Sequence, residues 1–102
     1  MNGDNTKDLS KYKTIILDKK KKAEIRIYNG DEDPNTLNRK RIGVYLFINN
    51  EFAASEWIEC GKYVMTILVN DPTMTLDKKK KMTDIAIENM KNKWKELNVV
   101  LE

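Results

Sequence analysis

Two kinds of residue in this chain could do chemistry: clustered cations, and aromatic rings that alternate with cations. Leu-Asp-Lys-Lys-Lys-Lys occurs twice, at residues 17–22 and 76–81. The first copy supplies Lys19, Lys20, Lys21 and Lys22, the second Lys78, Lys79, Lys80 and Lys81. Between the copies, Arg26, Tyr28, Arg39, Lys40, Arg41, Tyr45 and Phe47 interleave guanidinium groups, an ammonium group and rings. Cations follow a phosphate backbone, and rings offer faces on which bases stack at ~1–3 kcal/mol each. Exposed rings equally mark surfaces that dock other proteins. These residues are therefore the expected binding surface. The expected partner is a protein or a second copy of the chain, and the alternative is single-stranded nucleic acid.

Other chemistries lack their residues. The chain has no histidine, which removes the commonest general base and the commonest zinc ligand. Its single cysteine, Cys60, adjoins Gly61, and only Lys62 stands near it in sequence to activate a thiol. Glu56 and Glu59 are three apart in a strand-like segment, so they point to opposite faces and make no carboxylate pair. Asp31, Asp33 and Asn35 mimic the front of a calcium loop. Thr36 then stands where that loop needs glycine, and Ile42 where it needs the bidentate glutamate. No phosphate loop, nucleophile elbow or metal-spaced cluster is present. The expectation is a non-enzymatic binding protein without a cofactor or metal.

The bulk composition sets the frame. A length of 102 residues fits one domain with one core. Hydrophobic residues make up 40% and charged residues 34%, a polar but globular balance. The net charge of +3 is too small to imply a polyanion by itself. A lone cysteine excludes an internal disulfide and fits a reducing compartment, so the expected location is cytoplasmic. No apolar run approaches the ~20 residues of a membrane span. Residues 1–10 are expected to be a flexible tail without a secretory signal, and residues 11–102 the domain. The size and composition suit a small regulator or inhibitor of the kind that phages and mobile elements encode.

The elements that must position the binding residues are legible from periodicity. Residues 12–17 are strand-like, and residues 23–28 alternate Ala23, Ile25 and Ile27 against Glu24, Arg26 and Tyr28. The first lysine run then tips a hairpin. In residues 41–48, Ile42, Val44, Leu46 and Ile48 face one way and Arg41, Tyr45 and Phe47 the other. Asn49-Asn50 predicts a tight turn, and residues 52–58 a weaker fourth strand. Residues 63–69 are apolar on both sides, which predicts a fifth strand that is central or covered on its second face.

A helix should follow from about Asp71-Pro72 to Leu97, with Asp71 as its cap and Thr75 or Asp77 as rivals. Its apolar stripe is expected from Met82, Ile85, Ala86, Met90, Trp94 and Leu97, with residues 98–102 as a tail or extra strand. Lysines at a helix start oppose the macrodipole by a few tenths of a kcal/mol, which Asp77 partly offsets. The expected class is α+β: an antiparallel meander of about five strands, with one C-terminal helix packed on one face. The cation–aromatic face would be the other, outer face, framed by both lysine runs.

Overall fold

The structure, a computed structural model, describes residues 13–29 and 40–101. The expected N-terminal tail, the acidic loop around residue 32 and Arg39 lie outside the described residues. Strands β1 (Lys13–Asp18), β2 (Ala23–Asn29), β3 (Arg41–Ile48) and β4 (Glu51–Glu59) form an antiparallel sheet in sequence order. Helix α1 (Leu76–Leu101) packs on β2, β3 and β4. The α+β class and the one-sided helix are as the sequence predicts.

The turns follow from local chemistry. Between β1 and β2, the Lys21 amide donates to Asp18 Oδ1 at 3.0 Å, and Lys22 takes a φ of 53°. The side-chain oxygen of Asp18 thereby replaces a backbone acceptor at the turn. Between β3 and β4, Asn49 and Asn50 have φ of 53° and 66°. Two positive φ values in a two-residue loop match the right-handed twist of the flanking strands, and asparagine tolerates that region well.

The core lies between sheet and helix. Ala23 and Ile25 of β2, Val44 and Leu46 of β3, and Ile58 of β4 are buried with Ala86, Ile87, Met90 and Trp94 of α1. The predicted helix stripe is corrected in one respect. Ile85 is 60% exposed and Met82 is also exposed, whereas Ile87 is buried. Positions 86, 87, 90, 94 and 97 fix the contact face, and residue 85 sits about 100° round the helix from residue 86.

The helix boundaries also differ from the expectation. The Lys78 amide donates to Thr75 Oγ1 at 3.3 Å, so Thr75 caps the helix and Asp71 does not. Asp71 instead orders the preceding turn, accepting from the Thr73 amide at 2.9 Å and the Thr73 hydroxyl at 2.7 Å. Those bonds, the hydroxyl first, hold its carboxyl below the usual carboxylate range. At the other end the helix continues through residues 98–101 rather than yielding to a strand.

The predicted central or covered fifth strand is instead two short strands. Among the described residues β5 (Gly61–Val64) and β6 (Ile67–Asn70) pair only with each other, as a separate two-stranded sheet. Met65-Thr66 is the loop, and Met65 has a φ of 60°. Both sides of this segment are apolar, yet they are not buried: Tyr63 is 72% and Met65 94% exposed. A residue with a Cβ is disfavoured in this left-handed region, where glycine is not. Met65→Gly should therefore stabilise the hairpin by ~0.5–1 kcal/mol. Hydrogen exchange at the Ile67 and Val69 amides should then slow by roughly two- to fivefold. Unchanged or faster exchange would show that the turn carries no strain.

Candidate binding face

The candidate site is the sheet face away from the helix. Alternation in β2 and β3 puts Ile25, Ile27, Val44 and Leu46 toward α1, which leaves Arg26, Tyr28, Tyr45 and Phe47 on the outer side. The register places Arg26 opposite Tyr45 and Glu24 opposite Phe47. Across the next ladder, Tyr45 pairs with Ser55, Phe47 with Phe52, and Arg41 with Glu59.

Among the described residues five rings meet on this face. Tyr45 is the hub, with ring centroids 5.3 Å from Tyr28, 5.1 Å from Trp57, 6.1 Å from Phe52 and 6.2 Å from Phe47. Phe47 and Phe52 lie 6.3 Å apart. The Tyr28, Trp57 and Phe52 contacts with Tyr45 are edge-to-face, the arrangement that ring quadrupoles favour. The cluster needs a residue without a side chain beneath it. A Cβ at Gly43 would lie 2.7 Å from Tyr45 Cε2 and 2.8 Å from Trp57 Cζ3. The outer rim remains open, with Phe52 59% and Trp57 42% exposed.

Two guanidinium groups lie over the rings and are neutralised there. Arg26 sits 4.1 Å from the Phe47 centroid and donates through Nε to Glu24 Oε2. That hydrogen bond raises the already high Arg26 pKa further. Arg41 sits 4.6 Å from the Trp57 centroid and donates to Glu59 Oε2 at 2.8 Å from Nε. Each cation–ring contact is thus matched by a carboxylate on the same face. The face is aromatic and polar, with paired charges.

Of the residues singled out in the sequence, the structure brings together Arg26, Tyr28, Arg41, Tyr45 and Phe47. Phe52 and Trp57 belong with them and are missed by simple alternation. They are five positions apart, so a strict period of two assigns them to opposite faces. The ladder runs Phe47–Phe52 and then Leu46–Ala54, so Ala53 is an extra residue in β4. That bulge returns both rings to one side. The glutamates divide as expected: Glu59 is on this face, while Glu56 accepts from Asn89 of α1 at 2.9 Å.

The lysine runs do not frame this face as a pair. Lys78, Lys79, Lys80 and Lys81 belong to α1, in the layer behind the sheet. Lys79 and Lys80 line a cavity of about 440 Å³ with Lys13, Ile27, Ile42 and Ile87, on the helix side. In the first run, Lys21 donates through Nζ to Asn98 of α1 and so turns toward the helix. Lys19 and Lys22 border a groove of about 200 Å³ beside Ile16 and Glu24, at the edge of the outer face. Lys20 is exposed in the same turn. The Lys40 carbonyl accepts from the Cys60 amide at 2.6 Å, where β3 begins and β4 ends.

Cys60 is buried, and its thiol donates to the Ile58 carbonyl at 3.6 Å. Among the described residues no group of three or more metal-ligating side chains is assembled, and no helix is long and apolar enough to cross a membrane. No family model, no curated protein and no solved structure matches the chain.

Proposed function

We propose that this chain is a small non-enzymatic binding protein that docks on a protein partner through the outer sheet face, as a regulator or inhibitor. The observation that carries the reading is the neutrality of the ring cluster. Arg26 is matched by Glu24 and Arg41 by Glu59, around rings packed on Tyr45. Cores of protein interfaces are enriched in aromatic residues and arginine, and depleted of net charge. A surface for single-stranded nucleic acid instead needs unpaired cations alongside its rings.

The nucleic-acid alternative draws its support from Lys19 and Lys22 at the edge of the face. The decisive experiment is affinity capture of the tagged chain from its native cell, with and without nuclease, beside the Tyr45→Ala and Phe47→Ala variants. The reading expects a protein partner that survives nuclease and is lost with the variants. Capture that disappears on nuclease treatment would overturn it.

A titration with labelled oligonucleotides at two salt concentrations gives an independent check. The reading expects no binding, or weak binding of the kind any lysine-rich surface shows. Tight binding whose affinity falls steeply with salt would transfer the face to nucleic acid.

A further inference from the structure

The β5–β6 hairpin is a second surface, on a different sheet from the ring cluster. Its register, Val64 with Ile67 and Lys62 with Val69, closes on a two-residue loop. In such a hairpin the residues flanking the loop exchange hydrogen bonds, and alternate residues do so after them. The Asp71 amide donating to the Cys60 carbonyl at 3.0 Å continues the same alternation. Ile67 and Val69 therefore spend their backbone groups on β5. The N–H and C=O of Leu68 and Asn70 point to the free edge of β6. Among the described residues no strand pairs with that edge.

Open edges are usually guarded by charge, proline or a bulge. β1 opens with Lys13 and has a register shift before Asp18. β4 carries Glu51, Glu56 and Glu59 and its own bulge. β5 carries Lys62. β6 reads Ile-Leu-Val-Asn and has none of these devices. A lone two-stranded hairpin is also marginal in water, and three or more strands with an apolar face are needed for stability. Here Tyr63, Val64, Met65 and Ile67 are all exposed.

We infer that β6 pairs with β6 of a second copy, antiparallel about a two-fold axis. The occupant follows from the charge pattern. An uncharged strand can be laid against itself without like-charge repulsion, and a two-fold axis satisfies both copies with one interaction. Leu68 and Asn70 are the two outward residues of β6, and the register that uses both sets the groups of Leu68 against those of Asn70 in the second copy, with Val69 opposite itself on the axis. Each copy contributes the donors and acceptors of both residues. The two hairpins become one four-stranded sheet, with the exposed side chains gathered on its faces. Four such side chains per copy cover well under the ~800 Å² per partner of a standard interface, so the dimer is weak and concentration-dependent.

The test is sedimentation velocity on the full chain from about 10 µM to about 1 mM, the range of weak contacts, with hydrogen exchange at both ends. The mass should rise from one chain of 11.9 kDa toward two. The Leu68 and Asn70 amides should become protected as it does. Asn70→Pro removes only an outward donor, and Val69→Glu, which faces Lys62 within its own hairpin, places like charges opposite each other on the axis. Each should weaken dimerisation by at least about tenfold while leaving the far-ultraviolet circular dichroism of the sheet and helix unchanged.

A single-chain mass up to 1 mM, with both amides unprotected, would overturn the inference. So would a dimer indifferent to both variants but abolished by Trp57→Ala, which would put the contact on the ring cluster. Protection that appears only when another protein is added would overturn it too.

Discussion

Trp94→Ala is expected to lower the unfolding free energy by about 3–5 kcal/mol, the range for truncating a buried large aromatic side chain. Among the described residues one helix covers the sheet, and Trp94 is the largest side chain that α1 places in the core, with Ala86, Ile87 and Met90 of the same helix. Domains of this size are stable by only ~5–15 kcal/mol, so the variant should stand close to its folding threshold. Urea unfolding followed by circular dichroism and by Trp57 fluorescence measures the loss, since Trp57 is then the only tryptophan. Ile85→Ala is the internal control. Ile85 is exposed, and its loss should stay below about 1 kcal/mol. Equal losses from the two variants would mean that the helix presents a different face to the sheet.

Trp57→Ala is expected to weaken partner binding by about 2–4 kcal/mol, or roughly 30- to 1,000-fold, with little effect on stability. Binding energy concentrates in a few aromatic and arginine anchors near the centre of an interface. Trp57 combines ring contact with Tyr45, a guanidinium over its face from Arg41, and enough exposure to reach a partner. Truncation also strips Arg41 of its ring. Gly43→Val probes the same feature without deleting it, because the new side chain must displace the Tyr45 and Trp57 rings. Both variants should lose affinity for the captured partner together, read by titration calorimetry. Retained affinity in Trp57→Ala would remove the ring cluster from the docking surface.

Much of this face is legible from short-range pattern. In β2 and β3, every second residue from Ala23 to Ile27 and from Ile42 to Ile48 is apolar, and a pleated strand converts that directly into an inner and an outer side. The tight turn at Asn49-Asn50 is equally local, since asparagine tolerates the left-handed backbone that a two-residue loop demands. The helix is readable from its three- and four-residue spacing. Ile85 and Ile87 flank Ala86 and look alike in sequence. Only the position of the sheet decides which of the two is buried.

The sequence by itself determined the α+β class, the outward set Arg26, Tyr28, Arg41, Tyr45 and Phe47, and the hairpin tipped by lysines 19–22. Each depends on residues a few positions apart, whose geometry is set by backbone periodicity. Tertiary structure alone decided four other things. The bulge at Ala53 put Phe52 and Trp57 into the ring cluster. The cations over the rings were paired with Glu24 and Glu59. Lys78–Lys81 went to the layer behind the sheet. The apolar segment after Cys60 became an exposed hairpin and not a central strand. An extra residue in one strand shows only against its partner strand, and burial on both faces of a strand needs layers that the strand's own sequence does not encode.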